Sequence, residues 1–148
     1  MAMRVVIDTN VWVSALLNPS GFPAQVISAW LDERFEVVIS LPILEELEDV
    51  LSRPRLRTRY GIEEKQVQRF LSIIVEGAIP VSVTGRLALC RDPRDDMLLE
   101  TAEVGGAAYI ISRDEDITCD LELATRLKER GIEPITVARF LALLEVMD

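Results

Sequence analysis

The sequence predicts an α/β protein, a three-layer sandwich in which helices cover both faces of a central parallel sheet of about five strands. Short apolar runs alternate with longer segments whose apolar residues recur at helical spacing. Two runs, residues 4–7 and 107–112, are almost wholly apolar, as expected for strands buried on both faces. Two others contain Pro80 and Pro134, and proline favours the edges of a sheet.

Turn-forming residues and a proline divide the first half of the chain. The Asn-Pro-Ser-Gly cluster at 18–21 is typical of a turn between two helices, and Pro54 ends a third helix. The short apolar run at 36–40 predicts a strand. In chain order, this half is predicted to contain a strand at 4–7, helices at 11–17 and 23–33, a strand at 36–40 and a helix at 41–52.

The second half alternates in the same way. Apolar residues at helical spacing predict a helix over 63–77, and a Gly-Gly pair at 105–106 ends a later one. Gly131 caps another helix. In chain order, this half is predicted to contain a helix at 63–77, a strand at 79–83, a helix at 95–104, a strand at 107–112, a helix at 121–130, a strand at 132–137 and a helix at 139–147.

The bulk properties are those of one small domain. At 148 residues the chain can bury a substantial core, and we assign residues 4–147 to a single domain. No apolar run approaches the roughly 18 to 20 residues of a membrane span. The apolar run at the start is interrupted by Asp8 and lacks a signal-peptide cleavage site. We therefore expect a cytoplasmic protein with no membrane segment.

The composition leaves carboxylates as the plentiful catalytic groups. The chain contains no His, which excludes histidine-based general bases and serine-protease-like triads. Cys90 and Cys119 show no metal-binding spacing. The net charge of −9 argues against holding nucleic acid by bulk electrostatics. Divalent cations bound by clustered acids would reverse the field locally.

Asp8 is the first candidate for a functional acid. The strands that precede Asp8 and Asp114 are the most apolar, so we expect them to be central and adjacent. Ligands of parallel α/β sheets bind beyond the carboxyl ends of the strands, where both acids would then lie. The alternative for Asp8 is a helix cap, because Asp is a good N-cap residue.

Two helices carry further candidate acids. In the helix over 41–52, Glu46 and Glu48 flank the apolar stripe on its two sides, and periodicity does not choose between them. Asp95 and Asp96 begin a later helix, where capping is the favoured role for Asp95. Together with Asp8 and either Asp114 or Asp116, one acid from each helix would form an oxygen-only cluster. Such a cluster selects Mg²⁺ or Mn²⁺ and suits phosphodiester hydrolysis.

Four segments of the chain contain the candidate acids. They are Val-Ile-Asp-Thr-Asn-Val at 6–11, Ser-Leu-Pro-Ile-Leu-Glu-Glu-Leu at 40–47, Arg-Asp-Pro-Arg-Asp-Asp-Met-Leu-Leu at 91–99 and Ile-Ile-Ser-Arg-Asp-Glu-Asp at 110–116. Together these segments resemble the PIN-domain family, in particular its VapC-like toxin branch. The resemblance implies that the strands predicted to end at residues 83 and 137 are the outermost. It places the metal-binding acids of the family on Asp8, Glu46, Asp96 and Asp114, with Thr9, Asn10, Ser112 and Asp116 beside them.

The same resemblance implies a function. It predicts an Mg²⁺- or Mn²⁺-dependent endoribonuclease acting on single-stranded RNA, a homodimer, and a small antitoxin protein as partner. The alternative is a PIN-like module that binds RNA or protein without catalysis. A missing acid would indicate that alternative, and the sequence retains all four.

A cluster of arginines is the second functional candidate. Arg53, Arg55, Arg57 and Arg59 fall within seven positions and would bind substrate phosphates beside the acids, or the acids of an antitoxin. The alternative is a solvated helix end.

Overall fold

A five-stranded parallel sheet forms the centre of the computed structural model, which describes residues 2–85, 87, 93–113 and 121–147. The strands follow the order β3-β2-β1-β4-β5. Their bounds are β1 Arg4–Ile7, β2 Glu36–Ser40, β3 Ile79–Val81, β4 Tyr109–Ile111 and β5 Glu133–Ile135. The predicted α/β architecture is confirmed.

Helices connect the strands, and eight of them lie within the described residues. Their bounds are α1 Thr9–Leu17, α2 Phe22–Leu31, α3 Leu41–Leu51, α4 Pro54–Tyr60, α5 Glu64–Gly77, α6 Pro93–Gly105, α7 Leu121–Glu129 and α8 Val137–Met147. In the described part of the chain, no helix is long and apolar enough to cross a membrane.

The strand order confirms what apolarity and proline predict. β1 lies at the centre and pairs with β4 in parallel, with Val5 opposite Tyr109 and Ile7 opposite Ile111. β3 and β5, the strands that contain Pro80 and Pro134, are outermost. Proline has no backbone N–H to donate to a neighbouring strand. An edge strand accommodates it because such a strand forms hydrogen bonds with only one neighbour.

Two helix starts differ from the prediction, for one physical reason. Pro54 was expected only to end a helix, yet it also begins α4, and α6 begins at Pro93 rather than at Asp95. Proline disrupts a helix interior but fits the first turn, where its missing N–H would have no helical acceptor.

The helix α6 is fixed closely against the sheet. A Cβ added to Gly105 would lie 2.3 Å from Cγ1 of Val38, so only glycine allows this approach. The Arg4 guanidinium donates to the Gly105 carbonyl at 3.2 Å. Closer to its start, the Thr101 hydroxyl donates to the Met97 carbonyl at 2.6 Å and shares a 2.7 Å bond with the Ser40 hydroxyl. These contacts set the position of the acids at the beginning of α6.

Candidate active site

Asp8 stands where β1 meets α1, and its backbone serves both elements. Its N–H donates to the Ile111 carbonyl at 2.9 Å, which extends the pairing of β1 with β4. Its carbonyl accepts from the amides of Val11 and Trp12, so Asp8 is the N-cap residue of α1. Its side chain makes no capping hydrogen bond. Capping therefore accounts for the backbone of Asp8 but not for its carboxylate.

The end of β4 holds that carboxylate in place. Ser112 is buried, and its hydroxyl donates to Oδ2 of Asp8 at 2.6 Å. The backbone N–H of Arg113 donates to Oδ1 of Asn10 at 3.4 Å, and its Nη1 donates to the Ser14 hydroxyl at 2.7 Å. Residues after two adjacent parallel strands are thus bonded to each other.

The helix α3 presents its two candidate glutamates to different surfaces. Glu46 is half-buried and lines the same cleft as Asp8. Glu48 is exposed and lines a separate depression against α5, next to Gln68 and Ser72. Of the two glutamates between which periodicity does not choose, Glu46 is therefore the one that shares a cavity with Asp8.

The two aspartates that begin α6 are also separated. Asp95 lines the cleft, whereas Asp96 is not among the described residues that line it. Asp96 remains the ligand that the resemblance implies, and capping remains the role that the sequence favours for Asp95. Asp95 stands at helical spacing from the buried residues Leu98, Leu99 and Ala102, and Asp96 follows it by one helical step of about 100°. Because α6 begins at Pro93, Asp95 lies within the first turn and is not its N-cap.

We call this cavity the acid cleft, and its volume is about 380 Å³. Its acids come from three elements: Asp8 after β1, Glu46 of α3 and Asp95 of α6. The other polar side chains that line it are Thr9, Asn10, Ser14 and Arg94. Ser14 and Arg94 were not predicted to line a functional site, because neither belongs to an acidic pattern in the sequence.

The acid cleft offers the oxygen donors that a hard divalent cation prefers. Glu46 is paired with an arginine, because its Oε1 lies 4.0 Å from Nη1 of Arg94. Across the described residues, no three Asp, Glu or Cys side chains are close enough together to hold one ion. The predicted acids Asp114 and Asp116 lie outside the described residues. The donor types therefore fit Mg²⁺ or Mn²⁺, while the carboxylates are not drawn together around one point.

The arginines of the predicted cluster differ in their surroundings. Arg53 precedes α4 and pairs with Asp49 at 3.2 Å. Arg55, Arg57 and Arg59 alternate along α4, where residues two apart point in nearly opposite directions. Arg57 is half-buried, and its Nε is buried without a hydrogen-bond partner among the described residues.

Glu100 is a buried acid of α6 that belongs to no cleft described above. Its carboxylate accepts hydrogen bonds from the backbone amides of Thr84 and Gly85, the latter at 3.0 Å, and from the Thr84 hydroxyl at 3.3 Å. The amide of Thr84 is the main cause of a lowered pKa of Glu100, although burial acts in the opposite direction. Glu100 thus ties the segment after β3 to α6 as an ionised acceptor.

The family of the chain follows from its sequence. Residues 4–116 match the family model of the PIN domain, a span that contains all the acids of the acid cleft. The chain belongs to the PIN-domain family. The uncharacterized protein MJ1680 of Methanocaldococcus jannaschii is 30% identical to this PIN domain over 115 residues, which cover 78% of this chain and 73% of the relative.

Solved structures with the same fold cover nearly the whole PIN domain. A chain of VapBC2 from Rickettsia felis, bound to a promoter DNA fragment, matches with a TM-score of 0.59 and 15% identity, over 90% of this chain and 98% of that one. FitAcB from Neisseria gonorrhoeae matches with a TM-score of 0.52 and 17% identity, over 90% and 97%. The PilT N-terminus domain protein SSO1118 from Sulfolobus solfataricus matches with a TM-score of 0.52 and 14% identity, over 96% and 93%. At these identities the likeness concerns the fold.

Proposed function

We propose that this PIN domain is a divalent-metal-dependent endoribonuclease that cleaves single-stranded RNA. The observation that carries the proposal is the acid cleft, a single cavity that Asp8, Glu46 and Asp95 line from separate elements. Like charges repel, so bringing three acids to one cavity favours the binding of a cation there. Membership of the PIN-domain family, whose members are generally nucleases, supports the same function.

Each acid of the cleft has a role in this proposal. Asp8, Glu46 and Asp95 would hold Mg²⁺ or Mn²⁺, with Asp114 as the fourth acid predicted from the sequence. A divalent cation held by these acids would supply an activated water and would stabilise an in-line displacement at phosphorus. The chain has no His to act as the general base. The Ser112 hydroxyl orients the Asp8 carboxylate by donating to its Oδ2.

Arg94 has a role toward the substrate. Its side chain is 71% exposed, yet it lines the acid cleft and lies 4.0 Å from Glu46. We propose that its guanidinium contacts an RNA phosphate that enters the cleft, because arginines at such positions bind phosphate oxygens.

Cleavage by the purified protein tests the proposal. The unmodified chain should cut single-stranded RNA when Mn²⁺ or Mg²⁺ is present, and Asp8→Asn should abolish cutting. Asn keeps the shape of Asp and can still accept from Ser112, so circular dichroism should show a folded variant. Glu48→Gln is the matched control and should cut normally, because Glu48 faces another surface. Intact RNA with the unmodified chain, or cutting by Asp8→Asn, would leave the non-catalytic binding module as the function.

We also propose that the chain is the toxin of a toxin–antitoxin pair. The similar folds of VapBC2 and FitAcB come from toxin–antitoxin complexes, which supports an antitoxin partner for this chain as well. Expression of the chain in a bacterial host should arrest growth, and co-expression of the protein encoded beside it should relieve the arrest. Asp8→Asn should not arrest growth. A homodimer would have twice the mass of the 16.6 kDa chain in light scattering.

A further inference from the structure

A second and larger groove, of about 970 Å³, opens beside the acid cleft. Ser14 lines both cavities. Arg113 lines the larger one, and its guanidinium is bonded to the Ser14 hydroxyl at 2.7 Å, so it lies at their junction. Phe22 and Tyr60 also line the larger cavity, which we call the aromatic groove. A polymer bound in the acid cleft can therefore continue past Arg113 into this groove.

The aromatic groove holds the exposed aromatic side chains of the protein. The chain has two Trp, two Tyr and four Phe, all within the described residues. Of these, Phe22 and Tyr60 are exposed, at 62% and 45%, and both line the groove. Phe22 shares a face of α2 with Val26 and Trp30, which are buried in the core. Phe22 thus lies on the face of α2 that packs against the core, yet its ring is exposed at the groove.

The charge at the groove suits an anionic ligand. Arg113 is exposed, and within the described part of the chain it pairs with no carboxylate. Arg59 places its guanidinium 5.4 Å from the centre of the Tyr60 ring, so this arginine of α4 reaches the aromatic side chain at the groove. In a chain of net charge −9, two such cations beside exposed rings favour RNA over an apolar peptide.

We propose that the aromatic groove binds the unpaired bases of nucleotides next to the scissile phosphate, with Arg113 on the connecting phosphate. Phe22 and Tyr60 provide apolar faces on which bases stack, and stacking tolerates different sequences because every base has a π-face. This inference rests on the proposed ribonuclease function, since it assigns the groove to the same substrate. It also gives α4 a contact with RNA through Tyr60 and Arg59 rather than through all three of its arginines.

Binding without metal separates this inference from catalysis. We would titrate a short fluorescein-labelled single-stranded RNA with the protein in the absence of divalent ions and follow fluorescence anisotropy. Phe22→Leu and Tyr60→Leu keep an apolar side chain but remove the ring, and each should weaken binding by about fivefold or more. Arg113→Gln should weaken it and flatten its salt dependence. Leu31→Ala, at the exposed end of α2, and Arg69→Gln, on α5, are matched controls that should bind normally.

Abasic RNA identifies stacking directly. Removing the base at one or two successive positions should weaken RNA binding to the unmodified chain. In Phe22→Leu, the same removal should weaken RNA binding little further. Unchanged RNA affinity in all three groove variants would overturn the proposal and leave the groove to a protein partner. RNA that binds through the groove but is never cut with Mn²⁺ would overturn the ribonuclease function while supporting the groove as an RNA site.

Discussion

Two acids of the helix α6 are held in opposite ways. Glu100 is buried and accepts hydrogen bonds from the amides of Thr84 and Gly85. Asp95, in the first turn of the same helix, lines an open cleft together with Asp8 and Glu46. Backbone donors therefore replace water around Glu100, whereas Asp95 shares its cavity with other carboxylates.

The difference shows which acids deserve a functional assignment. Glu100 is more buried than Asp95, and its pKa is lowered, chiefly by the hydrogen bond from the Thr84 amide. Its neighbours explain both facts, because amide donors stabilise the charged carboxylate without any ligand. Burial of an acid thus indicates structure when its partners are backbone N–H groups. For acids that line one cavity from several elements, we propose a cation as the partner instead.

The largest expected effect separates Asp95 from its neighbour in sequence. Asp95→Asn should abolish metal-dependent RNA cleavage, because it removes a carboxylate from the acid cleft. Asp96→Asn should cut close to normally, since Asp96 is not among the described residues that line the cleft. The measurement is the initial rate of cleavage of one labelled RNA under identical Mn²⁺ concentrations. A reversed outcome would return the role to Asp96, as the family resemblance implies.

A smaller effect is expected on the stability of the protein when Glu100 is replaced. Glu100→Gln keeps the shape but turns one acceptor oxygen into an NH₂ group that faces backbone donors. The loss of a buried hydrogen bond should lower the free energy of unfolding by about 1–2 kcal/mol. Thermal or urea unfolding measures this loss. Glu103→Gln is the control on the same helix: it breaks an exposed pair with Arg130 and should cost less than about 1 kcal/mol.

The pH dependence sharpens the same contrast. The pKa of Glu100 is lowered in the folded protein, chiefly by the Thr84 amide, so the unfolded chain binds the proton more readily. The stability that Glu100 contributes is fully present above the ordinary glutamate pKa of about 4.3 and is lost as the pH falls through the folded value. Unfolding followed from neutral to acidic pH should give a flatter profile for Glu100→Gln. Profiles of equal slope would show that the hydrogen bonds do not favour the charged form.

Much of the fold was predictable because it depends on local patterns. Continuous apolar runs place β1 and β4 at the centre, and prolines place β3 and β5 at the edges. The helix α4 was not predicted, because a proline can follow the end of one helix or begin the next, and the local sequence does not distinguish these cases.

The candidate site was predictable in part. The position of Asp8 follows from the strand it ends, and the separation of Glu46 from Glu48 needed the packing of α3. That Asp95 lines the cleft depends on the position of α6 against the sheet, and the short-range sequence pattern favours capping for this residue. The partners of Glu100 could not be predicted, because backbone amides of a distant segment have no signature in the sequence.

The response of the melting temperature to Mn²⁺ tests the central contrast most directly. A cation that binds only the folded acid cleft should raise the melting temperature of the unmodified chain in a concentration-dependent way. Asp8→Asn should start from a higher metal-free melting temperature, because it relieves repulsion among the acids, and should respond much less. Glu100→Gln should start lower and keep the full response. A melting curve of the unmodified chain that Mn²⁺ and Mg²⁺ leave unchanged, or an equal response in Asp8→Asn, would contradict the assignment of the acid cleft as a metal site.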